Sequence, residues 1–155
     1  MLAEFCIFMG DLNYRLSTTF KELNNENRDK ALAMVHTKED QFINALEAGY
    51  FVNYKEPKID FLPTYKLKAD KLQYVNKNNQ APSYCDKVLF KNNSSLEVVD
   101  DFYVGRHDIF GSDHRPVQRS MTIKNLVNPV YADAQKIFDK EAPVMGYGEF
   151  DVQEV

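Results

Sequence analysis

The sequence predicts a mixed α/β (α+β) fold in which strands form most of the framework. Three observations predict it. The chain opens on an apolar run, Phe5 to Met9; apolar residues recur at helical spacing between Lys38 and Ala48; and three strand-length stretches follow one another between Asp86 and Lys124. A length of 155 residues with 13% aromatics is enough for one domain with a sizeable core.

Phe5 to Met9 is expected to be a buried, interior strand running into Gly10-Asp11-Leu12-Asn13-Tyr14-Arg15. Thr18 or Thr19 is placed to cap a short helix, and Asn24 to Asp29 is a polar connection without apolar rhythm. Lys38 to Ala48 is the clearest helix, with Phe42, Ile43 and Leu46 on one face, Thr37 as cap and Gly49 as stop. Ile59 to Lys68 alternates loosely around Pro63 and reads as a short strand, a turn and a second extended piece. Ala69 to Ala81 is a polar loop. Asp86 to Lys91, Leu96 to Val104 and Val117 to Lys124 are strands, separated by Asn-Asn-Ser-Ser and by the Gly105 to Ser112 loop. Beyond Asn125, Pro129 to Lys140 is expected to form a short helix and Glu141 to Val155 a tail or linker.

Chemistry concentrates in three polar blocks. In the first, Asp11 and Asn13 stand at i and i+2, which on an extended backbone turns a carboxylate and an amide to one face. The carboxylate can accept a proton from water and the amide can donate to a charged oxygen. An ordinary strand-to-turn transition uses the same residue types. The second block is Ala81-Pro-Ser-Tyr-Cys-Asp-Lys-Val-Leu89, the third Ser112-Asp-His-Arg-Pro-Val117. Pro116 restricts the residue before it to extended conformations and so stiffens the loop that carries His114.

Taken in order, these blocks resemble the inositol polyphosphate 5-phosphatases of the endonuclease/exonuclease/phosphatase superfamily. The G-D-x-N and S-D-H elements are similar to the whole superfamily; N-Y-R, Pro63-Thr-Tyr-Lys66 and Pro82-Ser-Tyr-Cys-Asp-Lys87 resemble the 5-phosphatase branch. The resemblance runs from about Phe5 to about Met121 and covers the second half of the family's catalytic domain. It therefore implies the carboxy-terminal half of a two-sheet β-sandwich flanked by helices, with residues 1–124 as a partial catalytic domain and 125–155 as an extension or linker.

The resemblance also implies roles. Asp11 would orient and deprotonate the attacking water, Asn13 would hold a phosphoryl oxygen, and Asp86 would fix the tautomer of His114, which faces the phosphoryl group. Arg15, Tyr65, Lys66 and Lys87 would bind substrate phosphates, the last three at the neighbouring 4-phosphate. The family more often has arginine where Lys87 stands and tryptophan where Tyr84 stands. The implied cofactor is Mg2+, with Asp113 as the metal residue on offer, because the glutamate the family uses has no match in this sequence. The implied partner is an inositol phosphate or a phosphoinositide headgroup, the latter reached by peripheral contact with a membrane.

A net charge of −4 and a pI near 5.4 argue against affinity built on nucleic acid. A nuclease of the same superfamily is accordingly a lesser reading. Cys6 and Cys85 fit reduced, packed thiols and a cytoplasmic setting. No signal peptide or membrane-spanning segment is expected. The other reading kept open is a non-catalytic truncated fragment or interaction module, and little turnover is expected of the chain alone unless further polypeptide completes the metal site.

Overall fold

The computed structural model describes residues 5–92 and 96–125; the expected helix at 129–140 and the tail lie outside them. Among the described residues the strands form three antiparallel pairs. β1 (Phe5–Asp11) pairs with β4 (Asp86–Asn92), β2 (Leu67–Lys68) with β3 (Lys71–Tyr74), and β5 (Leu96–Gly105) with β6 (Val117–Asn125). Two short helices, α1 (Ala31–Met34) and α2 (Gln41–Glu47), and a 3-10 turn at Arg28–Lys30 complete the elements.

Strands β1, β4, β5 and β6 follow the sequence expectation to within two residues at their ends. α2 is shorter than expected and is capped by Asp40, whose carboxylate accepts the Phe42 amide at 2.9 Å, not by Thr37. Thr18 and Thr19 cap no helix: both hydroxyls donate to Glu22 Oε2 and close a turn. The hairpin β2–β3 occupies ground read as the end of an extended piece and a polar loop. Its strands carry Lys68, Lys71 and Gln73 outward, so their polarity reflects one wetted face and not a lack of structure.

Leu16, Leu23, Ala31, Val35, Ile59, Ala81, Tyr84 and Tyr103 form the core, with Phe61 packed edge-on against Tyr84 and Tyr103. Each large side chain fully buried there contributes about 1.5–3 kcal/mol. β1 does not join this core, contrary to expectation. Ile7, Phe8 and Met9 are 50%, 44% and 70% exposed, although Phe8 touches the rings of Phe51 and Tyr54. Apolar composition makes a strand buriable, but only layers packed on its faces bury it, and among the described residues β1 has β4 along one edge and little else.

Candidate active site

The three polar blocks meet because main-chain hydrogen bonds tie them together. Tyr65 is the hub: its N–H donates to the Ser83 carbonyl at 3.2 Å, and its carbonyl accepts from the Ser83 N–H at 2.7 Å. On the other side, Arg115 N–H donates to the Thr64 carbonyl and Leu67 N–H to the Asp113 carbonyl, both at 2.9 Å. The first block is held by Leu12 N–H on the Cys85 carbonyl at 2.8 Å and by Leu16 N–H on Ser83 Oγ at 3.1 Å.

Strand register then places the acids. In the β1–β4 ladder Asp11 stands opposite Asp86, so two carboxylates face each other across the strands. His114 lies between them. Its Nδ1 is 3.0 Å from Asp86 Oδ2 and its Nε2 is 3.8 Å from Asp11 Oδ2. Carboxylate oxygens of Asp11 and Asp86 and a ring nitrogen of His114 all lie within 4.8 Å of one another. Two clefts of about 380 and 400 Å³ open on either side of Asp86, one lined by Gly10 and Asp11, the other by His114 and Phe110.

Asn13 joins the group by a route the sequence reading did not foresee. It lies beyond the end of β1 in a left-handed conformation, φ +57°, not on an extended strand. Its N–H donates to Asp11 Oδ1 at 2.9 Å in a tight Asx turn, and Asn is among the few residues that adopt this backbone readily. Strand and turn readings of G-D-L-N are thus both realised, one after the other. Arg15 Nη2 donates to Asn13 Oδ1 at 2.7 Å, which leaves the Asn13 NH2 as the group free to donate.

Tyr65 is a platform. Its ring lies 4.3 Å from the His114 ring and 4.7 Å from the Arg15 guanidinium. Arg15 Nη1 is shielded from solvent and has no hydrogen-bond partner among the described residues, a donor still to be used. Lys66 is ion-paired with Asp113; the hydrogen bond between them raises the lysine's pKa and holds the Asp113 carboxyl below its usual range. Asp113 therefore sits with a lysine and outside the Asp11–Asp86–His114 group.

Lys87 borders the cleft beside Asp86, but its ammonium is turned away from it. It neighbours Asp86 on β4, and the pleat sends it to the opposite face. There its side chain is wholly buried and donates to both oxygens of Glu56, at 3.2 and 3.1 Å, beneath the Phe42 ring. A third cleft, of about 480 Å³, borders Arg15 and Gln41 but none of the other predicted residues.

Arg115 was missed. It is fully buried, donating from Nη1 to the Ser112 carbonyl at 2.6 Å and from Nη2 to the Lys68 and Lys71 carbonyls at 2.7 and 2.9 Å. It clips the loop bearing His114 to the β2–β3 turn. An arginine wedged between His114 and Pro116 was the available signal.

A family model described as Endonuclease/Exonuclease/phosphatase family 2 matches residues 2–120. The chain belongs to this family. Its fold is the α/β fold of the family's phosphatases: the crystal structure of the inositol polyphosphate 5-phosphatase domain of SPsynaptojanin, in complex with inositol (1,4)-bisphosphate and calcium ion, matches with a TM-score of 0.64 and 25% identity over 89% of this chain and 39% of that one. Among curated relatives, type IV inositol polyphosphate 5-phosphatase 11 of Arabidopsis thaliana is 27% identical over 78% of this chain. The chain spans 37% of that relative's length. A Cimex nitrophorin ferrous NO complex matches with a TM-score of 0.63 and 27% identity over 79% of this chain and 42% of that one. One fold thus accommodates different chemistries, and the activity has to be argued from the residues at the site.

Proposed function

We propose that this member of the family hydrolyses the 5-phosphate of an inositol polyphosphate or of a phosphoinositide headgroup, with magnesium. The observation that carries the reading is the His114 imidazole held between Asp86 and Asp11. With Nδ1–H donated to Asp86, Nε2 is the nitrogen turned toward the cleft.

Phosphate monoester hydrolysis by water needs the water oriented, charge relieved on the phosphoryl oxygens and the leaving oxygen assisted. Asp11 orients the water and takes its proton. The Asn13 amide donates to a phosphoryl oxygen, His114 Nε2–H does so in the imidazolium form, and the Arg15 guanidinium beside Tyr65 supplies a further positive charge for substrate phosphate. The P–O bond to the ring oxygen breaks and that oxygen takes up a proton from solvent while Asp11 returns the one it took from water, giving inorganic phosphate and an inositol ring with one phosphate fewer. Of the donors present, the carboxylate oxygens of Asp11 and Asp86 would hold a hard divalent ion better than the imidazole would. Magnesium, when bound, supplies Lewis-acid relief at the leaving oxygen. Lys66 can reach substrate only by exchanging Asp113 for a phosphate, and Lys87, sealed against Glu56, serves the fold.

The test is phosphate release from inositol 1,4,5-trisphosphate and from phosphatidylinositol 4,5-bisphosphate, with and without magnesium, alongside an Asp11→Ala control. Perturbation of the His114 ring resonances by inositol 1,4,5-trisphosphate is read in parallel. Magnesium-dependent release lost in the control, or a ring perturbation that saturates with ligand, supports the reading. A folded chain showing neither would overturn it.

A further inference from the structure

We propose that Thr64 is a positioning residue for the Asp86–His114 pair, an inference that rests on the function proposed above. Thr64 is fully buried, and its hydroxyl donates to Asp86 Oδ2 at 2.6 Å. That oxygen is the one nearest His114 Nδ1, at 3.0 Å. The same threonine reaches the histidine's side through its main chain, because its carbonyl accepts the N–H of Arg115, the residue after His114. Thr64 therefore touches Asp86 directly and the loop carrying His114 one residue away.

The direction of the contact is unambiguous, since an ionised carboxylate only accepts and the hydroxyl must donate. Hydrogen bonds to an ionised group are short and about twice as strong as neutral ones. A carboxylate held by one partner can swing about its terminal bond; with a second donor on the same oxygen from a fixed direction, it cannot. The direction is fixed because the preceding carbonyl, that of Pro63, accepts the Tyr74 hydroxyl at 2.8 Å and lies 3.2 Å from His107 Nε2. A site of this kind tolerates only about 0.5 Å of play in its reacting groups. The His114 ring, which also stacks on Tyr65 and faces Asp11 at 3.8 Å, takes its aim from an Asp86 that Thr64 has locked.

A packing role and a positioning role separate cleanly in substitutions. Thr64→Val keeps the volume and removes the hydroxyl; Thr64→Ser keeps the hydroxyl and removes the methyl. The experiment records the His114 ring resonances, including the Nδ1 proton, in the full chain at one fixed pH, with thermal unfolding alongside and Asp86→Asn marking a His114 released from its acid. Thr64→Val should move the ring resonances toward those of Asp86→Asn, while Thr64→Ser should leave them at the wild-type position. If Thr64→Val fails to fold, Thr64→Ala is read against Thr64→Ser in the same way. Ring resonances unmoved by loss of the hydroxyl, or moved as far by Thr64→Ser, would overturn the inference. Because the readout requires neither substrate nor turnover, failure of the phosphatase reading shows in phosphate release and failure of this one in the spectrum.

Discussion

Asp11 and Asp86 occupy directly opposed positions at the end of the β1–β4 ladder, two carboxylates in one cross-strand pair. Like charges so placed work against the sheet, typically by a few tenths to about 1 kcal/mol, and Asp11 is half-exposed and so at the lower end. Asp11→Asn is expected to raise stability by a few tenths of a kcal/mol while abolishing phosphate release. Urea denaturation and the release assay on the same preparation check the two halves; a loss of stability would mean that the pair is not repulsive.

Breaking the Lys87–Glu56 pair should be a stability event and not a binding event. Both side chains are buried, and removing one partner of such a pair strands the other charge, at a cost of about 3–5 kcal/mol. Lys87→Met is expected to destabilise by that amount, and Lys87→Met with Glu56→Gln to recover part of it. Under conditions where the single variant remains folded, the affinity for inositol 1,4,5-trisphosphate should be unchanged. Tighter or weaker ligand binding at constant fold would return Lys87 to the site.

The two thiols should differ sharply in reactivity. Cys85 is completely buried, and burial pushes its thiol up to about 12, whereas Cys6 is half-buried. The thiolate is the reactive form. Iodoacetamide at pH 8 is expected to label Cys6 alone in the native chain and both cysteines in denaturant, as read by peptide mass.

Acid should weaken the loop that carries His114. The bidentate hydrogen bond from Arg106 lowers Asp108 from its ordinary 3.8 to about 2, and Lys66 lowers Asp113 in the same sense. A carboxylate whose folded pKa is depressed lends stability above its ordinary pKa and loses it as pH falls through the depressed one. The contribution is therefore whole above about pH 4 and fades toward pH 2. Arg106→Met and Lys66→Met should each move the acid unfolding midpoint to higher pH, more at low than at high salt, because both pairs are partly or wholly solvated.

The framework was legible where periodicity and turn chemistry agreed. β4, β5 and β6 are apolar or alternating runs bounded by Asn-Asn-Ser-Ser and by a glycine-containing loop, and local pattern was enough to place them. The hairpin β2–β3 was not legible, because a short strand with a wetted face has the composition of a loop. At the site, Asp11, Asn13, Asp86, His114, Arg15 and Tyr65 were legible as residue types within motifs and do converge. Lys87 faces away from the site because neighbouring positions on a strand point opposite ways, and a motif written as a string of letters does not record which side each letter faces; Asp113 lies outside the strands and is drawn to Lys66 instead. Thr64 and Arg115 went unremarked because their work is done through buried hydrogen bonds, and a sequence does not display burial.

The seam at Tyr65, where main-chain bonds join blocks far apart along the chain, also governs when the centre exists at all. Such contacts have high contact order: none can form until long loops have closed, and each closes only if the others hold. The amides of Tyr65, Ser83, Leu67 and Arg115 should accordingly exchange with deuterium as one cooperative unit, at the rate of the slowest opening among the described residues and not at that of the surrounding turns. The chemistry would then be switched on in a single step at the end of folding, with no half-assembled form able to bind substrate.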